Sequence, residues 1–204
     1  MTNIIDRKNK GIYVFEGIDN VGKTTIVDRL KVKIKETTEY ECYSFSFPGN
    51  EPKTLGRLVY DMHHCQEKYF NLPLNEASLQ LLHIASHIDL IQRKLIKLNS
   101  SRSIILLDRF WWSTYVYGLV GELREDMVQA IIAPELMYWK KLNVKRIFLL
   151  EREKRNFDYE IKKDAKIVNI YRDLAQHESK CVTLNNNGSI EEIVDKIYNN
   201  ILGE

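Results

Sequence analysis

The stretch Gly17-Ile18-Asp19-Asn20-Val21-Gly22-Lys23-Thr24-Thr25 constrains the fold of this chain more than any other segment. It fits the pattern G-x-x-x-x-G-K-[ST], and both flanks suit it. Gly11 to Glu16 is an apolar, β-branched and aromatic run of strand length. Thr25 to Glu36 sets Val27, Leu30 and Ile34 at helical spacing. A glycine loop between strand and helix is a phosphate cradle, because successive N–H groups can turn toward one anion and the helix N-terminus adds partial positive charge there. Gly17, Asn20, Val21, Gly22, Lys23, Thr24 and Thr25 are the expected phosphate-binding residues. Lys23 would bridge the outer phosphates, and the Thr24 hydroxyl would ligate Mg²⁺.

Five strand candidates alternate with helical stretches: Ile12 to Phe15, Cys42 to Phe47, Ile104 to Leu107, Arg146 to Leu150 and Cys181 to Leu184. That rhythm predicts parallel βαβ units, hence a three-layer α/β sandwich around a five-stranded parallel sheet, with the loop after the first strand. Glu76 to Leu98 reads as a helix, Asp126 to Leu142 as a helix interrupted at Pro134, and Ile190 to Ile201 as a helix capped by Ser189. No repeat or linker divides residues 1–204, so a single domain is expected. Lys and Arg number 30 against 28 Asp and Glu, which gives no electrostatic reason to expect nucleic acid or membrane as partner. Three widely spaced cysteines fit reduced thiols, and the polar Met1 to Lys10 does not resemble a signal peptide. A cytoplasmic protein is expected.

A phosphate loop alone leaves kinases, switch GTPases, ATPases and motors open. No N-K-x-D base-reading motif is present. The third strand ends in Asp108-Arg109, where a carboxylate suits Mg²⁺ or its bound water and an arginine suits a phosphoryl group. A structural salt bridge is the other reading of that pair.

Several separated pieces resemble the thymidylate kinase family. Phe15 to Thr25 is similar to its F-E-G-x-D-x-x-G-K-[ST]-T loop, and Asp108 to Tyr117 to its D-R-Y-x-x-S-x-x-A-Y segment. Phe47-Pro48 matches the start of F-P-x-R, Leu81-Leu82 with His87 stands at L-L-F-x-x-x-R, and Tyr159-Glu160 and Tyr171 to Ala175 resemble the tail beyond the lid. The resemblance implies a P-loop nucleoside monophosphate kinase that transfers a phosphoryl group from ATP, with Mg²⁺, to a deoxynucleoside monophosphate, dTMP first. It also implies a homodimer, with a short lid near residues 151–160. Lys23, Asp108 and Arg109 would stand at the reaction centre. Asp19, Phe47, Arg109, Ser113 and Tyr117 would line the acceptor site, Tyr117 beside the sugar where it disfavours a 2′-hydroxyl.

The departures fall on the acceptor side. Asn50 replaces the arginine of F-P-x-R, and His83 and His87 replace the aromatic and arginine of L-L-F-x-x-x-R. Arg57 is a candidate replacement cation, and His83 and His87 share a helix face from which they could touch a base or a phosphate. Solvated or core histidines are the alternative. Asn20 stands where some members carry a P-loop arginine, which leaves Arg152 and Arg155 as candidates to neutralise the transferred group, or as a solvated charge run. A kinase with another acceptor and a nucleotide-binding regulatory module therefore remain as rivals.

Overall fold

The computed structural model describes residues 7–99, 103–152 and 160–203. Five strands form one parallel sheet: β1 (Gly11–Glu16), β2 (Glu41–Ser46), β3 (Ser103–Asp108), β4 (Val144–Glu151) and β5 (Cys181–Asn185), in the order β2-β3-β1-β4-β5. β1 and β3 are buried along their whole length because helices cover both faces, so they read as unbroken apolar runs.

On one face, Tyr13, Phe15, Ile104, Leu106 and Phe148 pack against α1 (Lys23–Thr37) and α8 (Ile190–Leu202). Ile26, Val27, Leu30 and Ile34 of α1 are buried there, as spacing predicts. On the other face lie Ile12, Val14, Ile105, Leu107, Ile147 and Leu149. These pack under α3 (Glu76–Leu90), α5 (Trp111–Val120), α6 (Glu125–Trp139) and α7 (Glu160–Gln176). The result is the expected three-layer sandwich. Because β1 is central and the chain crosses from it to either side, the carboxyl ends of β1, β3 and β4 open onto one crevice, where ligands bind in such sheets.

Three differences from the sequence reading are local. The helix expected over Glu76 to Leu98 passes through one π-helical turn at Ile91–Leu95 before a short α4 (Ile96–Asn99). α6 runs through Pro134 without interruption, since that ring lies on the exposed face and the carbonyl it leaves unbonded, that of Ala130, is on the solvent side. An additional helix, α2 (Leu55–His64), follows β2 and is capped by the Thr54 hydroxyl, which accepts from Arg57 N–H at 3.2 Å. The cis Phe47-Pro48 peptide lies between β2 and α2. A Cβ on Gly56 would stand 2.1 Å from the Pro48 carbonyl oxygen, so only glycine lets α2 pack this closely. Among the described residues no helix is long and apolar enough to cross a membrane.

Candidate functional site

The loop between β1 and α1 is held from three directions. Gly17 adopts φ 136, and a Cβ there would stand 2.4 Å from the Leu150 carbonyl oxygen at the end of β4. Asn20 takes a left-handed φ of 63, which asparagine tolerates. The buried Asn186, just past β5, donates from Nδ2 to the Val21 carbonyl at 2.7 Å. Lys23 folds back, its Nζ donating to the carbonyls of Gly17 (2.9 Å) and Ile18 (2.8 Å). Burial and the nearby Arg109 push its ammonium down to about 8, against the pull of Asp108, Glu16 and Asp19.

Asp108 ends β3 beside the start of α1, and its Oδ2 accepts from the Thr24 hydroxyl at 2.7 Å. Its Oδ1 is buried without a hydrogen-bond partner among the described residues. A buried carboxylate oxygen next to a threonine hydroxyl and a phosphate loop is a donor set that fits a hard divalent cation. The structure thus brings together Thr24 and Asp108, the two residues expected to ligate Mg²⁺.

Arg109 follows in left-handed backbone, φ 73. Its Nη1 donates to Ser113 Oγ at 2.8 Å and its Nη2 is ion-paired with Asp19. The Tyr117 hydroxyl donates to the other Asp19 oxygen at 2.9 Å. Burial raises the Asp19 pKa, but Arg109, the Tyr117 hydrogen bond and Lys23 together lower it further, leaving it below the ordinary carboxylate value. Asp19, Arg109, Ser113 and Tyr117 thus meet at one mouth of the loop.

The other candidates separate. Phe47 is 4 % exposed, with His87 stacked on its ring at 4.0 Å and Trp139 edge-on at 6.4 Å. His87 is 2 % exposed and bonds through Nδ1 to the fully buried Glu135 at 2.8 Å, while Glu135 also accepts from Trp139 Nε1 at 2.7 Å. Phe47 and His87 are therefore both buried in the packing, which for His87 is the core alternative. His83 stays nearer solvent and bonds to His63 of α2 at 3.0 Å, and burial together with the charges of His87, His63 and Arg109 holds its pKa well below the ordinary value. Arg57 is bound to Asp61 one turn along α2 (Nε–Oδ2 3.0 Å). Arg152 is exposed at the end of β4 and borders a cavity of about 200 Å³ with Gly17, Ile18, Tyr171 and Arg172. Arg155 lies outside the described residues.

The sequence reading missed Glu16, Asn186 and Glu135. For Glu16 a signal existed, an acid ending an otherwise apolar strand. The other two make contacts 165 and 48 residues away, with no local pattern to mark them.

Residues 15–197 match the family described as thymidylate kinase. The chain belongs to the thymidylate kinase family. It is 27 % identical over 196 residues to the probable thymidylate kinase of Methanocaldococcus jannaschii, covering 93 % of each chain. To the thymidylate kinase of Blochmanniella pennsylvanica it is 23 % identical over 201 residues, 91 % of this chain and 92 % of that one. To that of Mycoplasma pneumoniae it is 28 % identical over 128 residues, 61 % of this chain and 57 % of the other. Membership in the thymidylate kinase family makes the chain a phosphotransferase.

Proposed function

We propose that the chain transfers the terminal phosphoryl group of ATP to dTMP, giving dTDP and ADP. The observation that carries this reading is the Asp19–Arg109–Tyr117 set at the mouth of a phosphate loop whose opposite side holds Lys23, Thr24 and Asp108. The loop amides and Lys23 hold the donor phosphates. Thr24 and Asp108 hold Mg²⁺, which when bound neutralises phosphate charge. Arg109 holds the acceptor phosphate, and Asp19 and Tyr117 face the sugar. Arg152 and Arg155 supply positive charge from the segment after β4. Catalysis is positioning and charge neutralisation, with no covalent step on the protein.

A homodimer is supported by exposed apolar residues on two packed helices, Ala130, Ala133, Pro134 and Met137 on α6 and Leu81 and Ala85 on α3. Free thiols at Cys42, Cys65 and Cys181 support a cytoplasmic setting. The test is ADP release from ATP and Mg²⁺ with dTMP, dUMP, dCMP, dGMP and thymidine in turn. Stimulation by dTMP above the others supports the reading. Preference for thymidine makes the protein a nucleoside kinase, and ATP binding without any acceptor stimulation makes it a regulatory module.

A further inference from the structure

We propose that Glu16 and Tyr171 are positioning residues for Arg109, a role that rests on the phosphotransferase reading of this site. The helix α5 starts two residues after Arg109, and its N-cap residue, Phe110, offers no side-chain cap. Glu16, at the end of β1, supplies one from elsewhere in the chain. Its Oε1 accepts from the N–H groups of Phe110 (3.0 Å) and Ser113 (3.2 Å). Its Oε2 accepts from the hydroxyls of Ser113 (2.9 Å) and Tyr171 (3.0 Å). The carboxylate is fully buried and both oxygens are engaged.

Arg109 is tied to this cluster at each level. Its N–H donates to the Phe15 carbonyl at 2.9 Å, one residue before Glu16. Its Nη1 donates to the same Ser113 Oγ that is bound to Glu16, and lies 4.0 Å from Glu16 Oε2 and 3.5 Å from the Tyr171 hydroxyl. Ser113 accepts from the guanidinium on one side and donates to the carboxylate on the other. The buried side of the guanidinium is thus held by groups from β1, α5 and α7, which leaves Nη2 directed at Asp19 in the cleft. An arginine that must meet a phosphoryl group gains from such support, since a small misplacement of a positioned group costs much of the rate.

The test uses Tyr171→Phe, which removes one hydroxyl and keeps the ring volume, with Glu16→Gln as a second variant. Tyr171→Phe is expected to raise the dTMP dissociation constant about fivefold to tenfold, the effect of losing one charge-linked hydrogen bond, with ATP affinity unchanged. In an Arg109→Lys background the same change is expected to have no further effect, because the group it positions is gone. A multiplicative effect in both backgrounds overturns the proposal. A second readout needs no substrate: rotation of the Arg109 guanidinium, followed by arginine-selective ¹⁵N NMR, is expected to quicken in Tyr171→Phe. An unchanged rate overturns the positioning role. If the wild-type protein fails to bind dTMP, the acceptor assignment falls and the NMR readout still decides whether Tyr171 and Glu16 hold Arg109.

Discussion

Lys23 shows how one buried side chain links stability to binding. In the free protein its pKa falls from 10.5 to about 8, chiefly through burial. Between those values the unfolded chain holds a proton that the folded chain has released, so this group's contribution to stability rises with pH across that window. Donor phosphates reverse the balance, because their negative charge favours the ammonium. ATP binding therefore takes up a proton above pH 8, and its dissociation constant is expected to rise about tenfold between about pH 8 and 9.5. Isothermal titration across that range checks this, and a flat profile would detach Lys23 from the phosphates. Tyr117 carries a second expectation: Tyr117→Ala should lower the preference for deoxyribose over ribose acceptors about fivefold or more, read as a ratio of kcat/KM values, and an unchanged ratio would place the ring away from the sugar. Lys23 and Thr24 were legible because a phosphate loop dictates residue types at fixed spacing, and Asp108 and Arg109 because an Asp-Arg pair closes an otherwise apolar strand. His87 was not, since helical spacing sets it on a face with His83 but says nothing of Glu135, its buried partner on α6.

The five strands were legible for a related reason. A sheet covered on both faces needs runs such as Ile104 to Leu107 with no polar interruption, and those runs stand out. α2 did not stand out, being ten residues long with Leu55 and Leu58 exposed and two histidines at its end. The start of α5 is marked only weakly by its own sequence because its cap comes from Glu16, 94 residues earlier. What fixes α2 in place is its close approach to the cis-proline turn. A Cβ at position 56 would meet the Pro48 carbonyl at 2.1 Å and the Gly49 Cα at 2.9 Å, and both are backbone atoms that cannot rotate aside. Gly56→Ala is therefore expected to cost about 2–3 kcal/mol through overpacking, a fall in Tm of about 4–12 °C for a chain of this size. Because α2 also carries His63, the partner of the acceptor-site candidate His83, dTMP affinity should weaken with it while ATP affinity holds. A thermal melt equal to wild type would mean that α2 can slide away from the turn at no cost.

The packed helices α3 and α6 both present apolar residues to solvent. On α6 the buried stripe Val128, Ile131, Ile132, Glu135 and Trp139 faces the core, and the opposite stripe, Ala130, Ala133, Pro134 and Met137, is apolar where a solvent-facing helix ordinarily carries charge. Met137 is 67 % exposed and Leu81, on the adjoining α3, 52 %. Exposed apolar residues on two packed helices suit an interaction face, and a face that meets its own copy about a two-fold axis closes without leaving a second patch open. Met137→Lys places a charge in the middle of that stripe without touching the core, so the fold and the ATP site should be unaffected while association is lost. Light scattering on the eluting peak is expected to give twice the 24.1 kDa chain mass for wild type and the single-chain mass for the variant. A wild-type chain that elutes at 24.1 kDa would remove the dimer. A variant that stays dimeric would move the interface to another face, and α3 would then support the acceptor site from within one chain alone.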